Sequence, residues 1–215
     1  MATLVYLVRH GSVAGAETGR FIGHLDVPLS PLGERQISAL ALRLRGVALE
    51  AVYSSDLVRA RRSAEILAAP HGLVPVERPA LREFAMGRWE GLTGQEIREL
   101  DPAAFATWMA DVAGYQFPEG ENLDQLAARA WPAFEEVVAA HPRGAVGVVA
   151  HGGTNRLIVC RAIGVAPERI LALGQDYAAL SVLEWSGARW ALRLLNHREP
   201  APGSGNPGGL RAGSA

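Results

Sequence analysis

The sequence predicts an α/β fold, a three-layer sandwich in which a mostly parallel central sheet is flanked by helices. Short apolar runs at residues 3–8 and 145–150 are typical of strands buried on both faces of such a sheet. Helical patterns alternate with these and other short strands, as parallel connections require. Both runs are followed by His-Gly, which places two histidines at the same edge of the sheet.

Strands and helices follow one another in a regular order. The predicted strands are residues 3–8, 51–53, 74–76, 145–150, 180–185 and 189–195. The predicted helices are residues 30–45, 54–69, 94–100, 102–112, 122–140 and 154–163. Ser30 and Pro31 form a capped helix start, and Gly46 ends that helix. Thr154 is expected to cap the last helix, and the final two strands are expected to form a hairpin around Ser186 and Gly187.

Composition excludes several classes of protein. The chain has 215 residues, a net charge of -1 and 49% hydrophobic residues, so it is neither disordered nor a strongly basic nucleic-acid binder. It has no apolar run of about 18 residues, which excludes a membrane span. Cys160 is the single cysteine, so an internal disulfide framework and a cysteine metal cluster are also excluded. We therefore expect a cytoplasmic protein. All 21 basic residues are arginine.

The chain is expected to form one domain with a short tail. Residues 1–199 carry all of the predicted elements, whereas residues 200–215 are rich in Pro, Gly and Ser and are predicted to be disordered. The sequence leaves the oligomeric state open, and a homodimer is compatible with it.

Two histidines and two arginines are the candidates for chemistry. His10 and His151 follow the two buried strands, and ligands of open α/β sheets bind at this edge. Arg9 directly follows the first buried run, where a charge needs a partner. Arg59 lies in the first turn of a predicted helix, where a cation opposes the helix dipole. Its compensating anion is either Asp56 or a bound phosphate.

Six sequence blocks resemble the histidine phosphatase superfamily, the phosphoglycerate mutase-like proteins. They read LVRHG at 7–11, FIGHLDVPLS at 21–30, YSSDLVRA at 53–60, LREFAMGRWEG at 81–91, PEGE at 118–121 and VVAHG at 148–152. The blocks occur in the family's order and extend over most of the chain. The resemblance implies the phosphoglycerate mutase-like fold, with residues 1–199 as the histidine phosphatase domain.

The resemblance also implies catalytic roles. His10 would be the nucleophile that forms a phosphohistidine, which divides a difficult hydrolysis into two displacements. Arg9, Arg59 and His151 would surround the phosphoryl oxygens, where transition-state charge accumulates. Glu83 would protonate the leaving oxygen and then deprotonate the attacking water. No metal or other cofactor is then needed, and the partner is a small phosphate monoester.

Further phosphate or substrate contacts are expected from residues close to these groups. The candidates are Gly11, Ser12, Ile22, Gly23 and Gly152. The family often has Thr and then Asn after the RHG motif, but this chain has Ser12 and, further on, Ala16. What replaces the asparagine is therefore open. His24 lies in the loop that faces the expected site and is a further candidate for substrate contact.

The sequence favours a phosphatase over the alternatives. A mutase has to hold a bisphosphorylated intermediate, yet the segment between Glu83 and Asn122 contains only two basic residues, Arg88 and Arg98. The nearest resemblance within the phosphatases is to the α-ribazole-5'-phosphate phosphatases of cobalamin biosynthesis. Phosphoglycerate mutase and a non-catalytic phosphoanion-binding module remain the alternatives, and the complete set of His10, Glu83 and His151 favours an enzyme over the latter.

Overall fold

The computed structural model describes residues 2–200, and its centre is a six-stranded mixed sheet of order β3-β2-β4-β1-β5-β6. The strands are β1 Thr3–Arg9, β2 Ala51–Ser54, β3 Val76–Glu77, β4 Ala145–Ala150, β5 Leu180–Trp185 and β6 Trp190–His197. The pairs β2–β3, β2–β4 and β1–β4 are parallel, whereas β5 is antiparallel to both of its neighbours. The mostly parallel sheet predicted from the sequence is confirmed.

Helices cover both faces of this sheet. They are α1 Pro31–Leu44, α2 Val58–Ala68, α3 Gly94–Leu100, α4 Pro102–Ala110, α5 Leu123–Ala140 and α6 Gly152–Ile163. Side chains of α1 and α2 form one apolar core with Val8 and Val149, and side chains of α5 and α6 form another with Val5 and Leu7. Successive strand residues thus point to opposite helical layers, because side chains alternate along a strand. None of the helices in this part of the chain is long and apolar enough to cross a lipid bilayer.

Two predicted helix starts are wrong for reasons that the structure explains. The helix predicted from residue 54 begins at Val58, and Asp26 from a distant loop accepts the Val58 amide at 2.7 Å. The last helix begins at Gly152, so Thr154 lies inside its first turn and donates its hydroxyl to the Arg82 carbonyl at 2.8 Å. Both differences depend on contacts between residues far apart in the chain.

The other elements agree closely with the sequence. Ser30 caps α1 by accepting the Gly33 amide, and β4 has the predicted bounds. The third strand is shifted from 74–76 to Val76–Glu77. The predicted tail at 200–215 lies, apart from Pro200, outside the described residues, so the domain boundary stays a prediction.

The register of the central strands places the two histidines side by side. Arg9 pairs with Ala150 in the parallel β1–β4 ladder, so His10 and His151 follow at matching positions. A close backbone approach fixes the loop after β1, because a Cβ on Gly11 would collide with the backbone of Gly33. The fold therefore brings His10 and His151 together, as the sequence predicts.

Candidate active site

His10 is buried in the form that a nucleophile requires. Its side chain lines a cavity at the carboxyl edge of the sheet, and the residue is 3% exposed. Nδ1 lies 2.8 Å from the Gly11 carbonyl oxygen, which can only accept, so Nδ1 carries the proton. Burial, followed by the positive charges of Arg59 and Arg9, holds the pKa of His10 well below its usual value. The neutral ring therefore keeps a lone pair on Nε2.

His151 lies against His10, with 5.0 Å between the ring centroids. It is fully buried, and its Nε2 is 2.7 Å from the Ser55 hydroxyl oxygen. Burial and then the charge of Arg59 hold the pKa of His151 well below its usual value. When Ser55 donates to Nε2, the neutral ring carries its proton on Nδ1, for which residues 2–200 offer no hydrogen-bond partner.

Arg9 is held by contacts that leave its charge uncompensated. Its Nη1 donates to the carbonyl of Gln175, and its guanidinium carbon lies 4.0 Å from the centroid of the Tyr177 ring. The buried Nε has no hydrogen-bond partner within the described range. A carbonyl and an aromatic face stabilise the cation but do not neutralise it, so an anion at this position is favoured.

Arg59 is also held by backbone carbonyls and is more deeply buried than Arg9. It is 1% exposed, and its Nη1 and Nη2 donate to the carbonyls of Leu25 at 2.7 Å and Gly23 at 2.6 Å. Burial lowers the pKa of Arg59. Asp56 is not its counterion, because that carboxylate accepts from Arg82 Nε at 2.7 Å. Of the two anions that the sequence left open, Asp56 is therefore excluded, and the charges of Glu83 and Asp26 are the ones that favour the protonated guanidinium.

Glu83 lines the same cavity and comes from the loop at residues 82–86. Its carboxylate accepts the amides of Gly153 at 2.9 Å and Thr154 at 3.2 Å, in the first turn of α6. It also accepts the amide of Phe84 at 3.1 Å. The helix start thus holds the carboxylate next to the strand end that carries His151.

Arg129 fixes the loop that carries Glu83. Its Nε and Nη2 each lie 2.7 Å from an oxygen of Glu121, in a bidentate ion pair. Nη1 donates to the carbonyls of Ala80 and Arg82, and Nη2 donates to that of Glu83 at 2.6 Å. Glu121 in turn accepts the Ala85 amide at 3.0 Å. This network restrains the acid loop on both sides of Glu83.

The cavity has a volume of about 320 Å³ and a divided lining. One part is charged, and most of the remaining side chains are apolar. The charged part consists of Arg9, Arg20, Arg59, Glu83 and Arg156. The apolar part includes Phe21, Ile22, Phe84, Met86, Trp108 and Phe117. This division suits a phosphorylated compound whose remainder contacts apolar side chains.

The predicted site residues fall into two groups. The cavity is lined by Arg9, His10, Ile22, Gly23, Arg59, Glu83 and Gly152, and His151 contacts His10. Gly11 and Ser12 do not line it, since their amides donate to the side chains of Ser63 and Gln36 at 3.2 and 3.0 Å. The ring of His24 is bound to the Glu83 carbonyl oxygen at 2.7 Å. Phosphate contact by Gly11 and Ser12 is therefore not supported by their positions.

Sequence reasoning missed several residues of this site. Ser55 and Tyr177 contact the two histidines, Arg129 holds the acid loop, and Arg156 lines the cavity. Only Arg156 could have been found from the sequence, because it follows Gly152 by one helical turn and therefore lies on the same face of α6 as that predicted site residue. The other three depend on contacts between distant segments.

Comparisons with known proteins agree with this geometry. The model of the histidine phosphatase superfamily (branch 1) matches residues 5–198. Phosphoserine phosphatase 1 of Hydrogenobacter thermophilus is 31% identical over 190 residues, which cover 88% of this chain and 90% of that protein. The α-ribazole phosphatase structure from Shigella flexneri superposes with a TM-score of 0.83 at 25% identity, covering 90% of this chain and 96% of that one. Mycobacterial glucosyl-3-phosphoglycerate phosphatase, in complex with VO3, gives 0.79 at 33% identity, covering 90% and 98%.

The buried histidines predict a pH dependence of stability. Because the folded state lowers the pKa of His10 and His151, the unfolded chain binds protons that the folded chain does not. The free energy of unfolding should therefore fall as pH drops below about 6.5, by up to about 1.4 kcal/mol per pH unit for each histidine. Urea unfolding at several pH values measures this slope, which should be smaller in His10→Asn. An equal slope in that variant would contradict the prediction.

Proposed function

Because the chain belongs to the histidine phosphatase superfamily, branch 1, and is a phosphoric monoester hydrolase, we propose that it acts through a phosphohistidine formed on His10. One observation carries the proposal. A neutral, buried imidazole lines a cavity together with two guanidinium groups, those of partly buried Arg9 and buried Arg59, which have carbonyl partners but no paired carboxylate among the described residues. Such a site binds a phosphate and presents a nucleophile to its phosphorus.

In the first step, the His10 Nε2 lone pair attacks phosphorus and the bond to the ester oxygen breaks. Glu83 transfers its proton to the departing oxygen, so the first product leaves as an alcohol. Arg9 and Arg59 stabilise the charge on the phosphoryl oxygens, and His151 donates from Nδ1. The Nδ1–Gly11 hydrogen bond orients the ring throughout.

In the second step, water attacks the phosphorus of the phosphohistidine. Glu83, now a carboxylate, accepts a proton from that water, and the nitrogen–phosphorus bond breaks. Inorganic phosphate leaves, and His10 returns to the neutral state that its burial favours. None of these steps uses a metal.

Three phosphate esters are the first candidates for the substrate. The sequence resemblance favours α-ribazole 5'-phosphate of cobalamin biosynthesis, and the aromatic part of the lining suits its flat ring system. The names of two similar proteins refer instead to phosphoserine and glucosyl-3-phosphoglycerate. We propose hydrolysis rather than mutase activity because segment 83–122 contributes no arginine to the cavity lining. The arginines of the lining at positions 20 and 156 lie outside that segment.

The wild-type protein should hydrolyse p-nitrophenyl phosphate in excess EDTA, and His10→Ala should reduce turnover by at least roughly 10³-fold. Release of p-nitrophenolate measures both results. His71→Ala, which changes a histidine outside the cavity lining, is the matched control and should keep wild-type activity. Full activity in His10→Ala, or phosphate binding by the wild type without any hydrolysis, would refute the proposal. The latter result would identify a phosphoanion-binding module.

The mutase alternative is tested on 3-phosphoglycerate with and without its bisphosphate cofactor. Release of inorganic phosphate should exceed formation of the isomeric phosphoglycerate. The opposite ratio would establish phosphoglycerate mutase activity.

Glu83→Gln should slow the reaction in proportion to the difficulty of the leaving group. Glutamine keeps one carbonyl oxygen, which can accept the Thr154 amide in place of Glu83 Oε1, but its NH2 group replaces the oxygen that accepts the Gly153 amide and is not acidic enough to protonate a leaving group. Turnover of alkyl phosphates should fall by roughly 10²–10⁴-fold, whereas p-nitrophenolate needs little protonation and should depart with a smaller loss. Single-turnover rates with a series of aryl and alkyl phosphates measure the effect. Equal losses across the series would exclude Glu83 as the general acid.

A further inference from the structure

Arg156 is a charged group of the cavity that the proposed reaction does not use. It lies on α6 and lines the cavity, and its Nε donates to the Leu173 carbonyl at 2.8 Å. Within residues 2–200 it forms no ion pair with a carboxylate, whereas Arg20 of the same lining is paired with Glu96 at 2.7 Å. Its charge is therefore available to a ligand.

The side chains of Arg156 and Arg9 approach each other near Gly152, the first residue of α6. A Cβ built on Gly152 would lie 3.4 Å from Arg156 Nη1 and 3.4 Å from Arg9 Cζ, so the two guanidinium groups flank one backbone position. Burial and then the charge of Arg9 lower the pKa of Arg156. Two like charges in a partly buried cavity are stabilised when anionic groups of a ligand lie between or beside them.

Arg156 is additional to the cationic groups that would hold a phosphate. Arg20 of the lining is paired with Glu96, whereas Arg9 and Arg59 flank His10. The Glu83 carboxylate accepts the amides of Phe84, Gly153 and Thr154 and forms no ion pair with Arg156 within residues 2–200. The guanidinium of Arg156 therefore has room for a second anionic group beside the phosphate position.

We propose that Arg156 binds a carboxylate of the substrate, so that the protein prefers phosphate monoesters whose alcohol portion is an organic acid. This inference rests on the proposed function and names its substrate class. A planar guanidinium can bind a carboxylate through two parallel hydrogen bonds, which a neutral alcohol portion cannot provide. Compounds without a second anionic group, α-ribazole 5'-phosphate among them, are therefore disfavoured.

Two matched pairs of substrates isolate the carboxylate. Phosphoserine differs from phosphoethanolamine by that one group, and 3-phosphoglycerate has a carboxylate where glycerol 3-phosphate has a hydroxymethyl group. In the wild-type protein kcat/KM should be roughly tenfold to a hundredfold higher for the acidic member of each pair. p-Nitrophenyl phosphate, which has no carboxylate, reports whether the catalytic site is intact.

Arg156→Met should abolish the preference within each pair while it largely preserves hydrolysis of p-nitrophenyl phosphate. Arg156→Lys, which keeps the charge, should retain part of the preference. Arg161→Met is the matched control, because Arg161 lies on the same helix and stacks on Trp131 outside the cavity lining. That variant should keep the wild-type ratio.

The possible failures are distinguishable. Hydrolysis of p-nitrophenyl phosphate without any preference for the acidic substrates in the wild type would overturn the inference and leave the proposed function intact. An equal loss on all substrates in both Arg156 variants would also overturn it, since Arg156 would then act on the shared phosphate or on folding. Absence of all hydrolysis in the wild type would instead refute the proposed function.

Discussion

The structure depends on positive charge that is held around His10, with Arg9 partly buried at the end of β1 and Arg59 buried in the first turn of α2. Arg9 and Arg59 are held by backbone carbonyls and an aromatic ring, and neither has a paired carboxylate within the described residues. Burying cations without counterions is unfavourable, so this arrangement is stable only where a compact fold imposes it and where an anion binds. Burial, followed by the charges of these arginines, holds the pKa of His10 and of His151 well below the usual value. The buried, cationic surroundings thus produce both the candidate phosphate site and the reactive state of the nucleophile.

The rest of the fold serves to keep these groups in register. The parallel β1–β4 ladder sets the two histidines side by side, and the first turn of α6 holds the Glu83 carboxylate. Arg129 and Glu121 then restrain the loop that carries Glu83 through five polar contacts of one guanidinium. Acid and nucleophile come from segments far apart in sequence, so their alignment depends on these polar contacts as much as on the apolar cores.

Features that depend on neighbouring residues could be predicted from the sequence, whereas features that depend on contacts between distant segments could not. The strand bounds, the Ser30 cap and the positions of His10 and His151 follow from runs of apolar residues and from turn residues that lie next to them. The start of α2 could not be predicted, because the carboxylate that accepts the amide of its first residue belongs to Asp26, in another loop. Gly11 and Ser12 were expected to contact phosphate from their place after His10, but their amides are used by Ser63 and Gln36. Tyr177 and Arg129 reach the site only through tertiary contacts.

Covalent phosphorylation of His10 during turnover can be detected by trapping the intermediate. Wild-type protein mixed with substrate should be quenched in alkali, where a phosphohistidine survives, then digested and located by mass spectrometry. We expect one phosphoryl group on the peptide that contains His10, formed as fast as the first product is released and absent from His10→Ala. Turnover without any phosphorylated peptide, or a phosphoryl group on another residue, would contradict it.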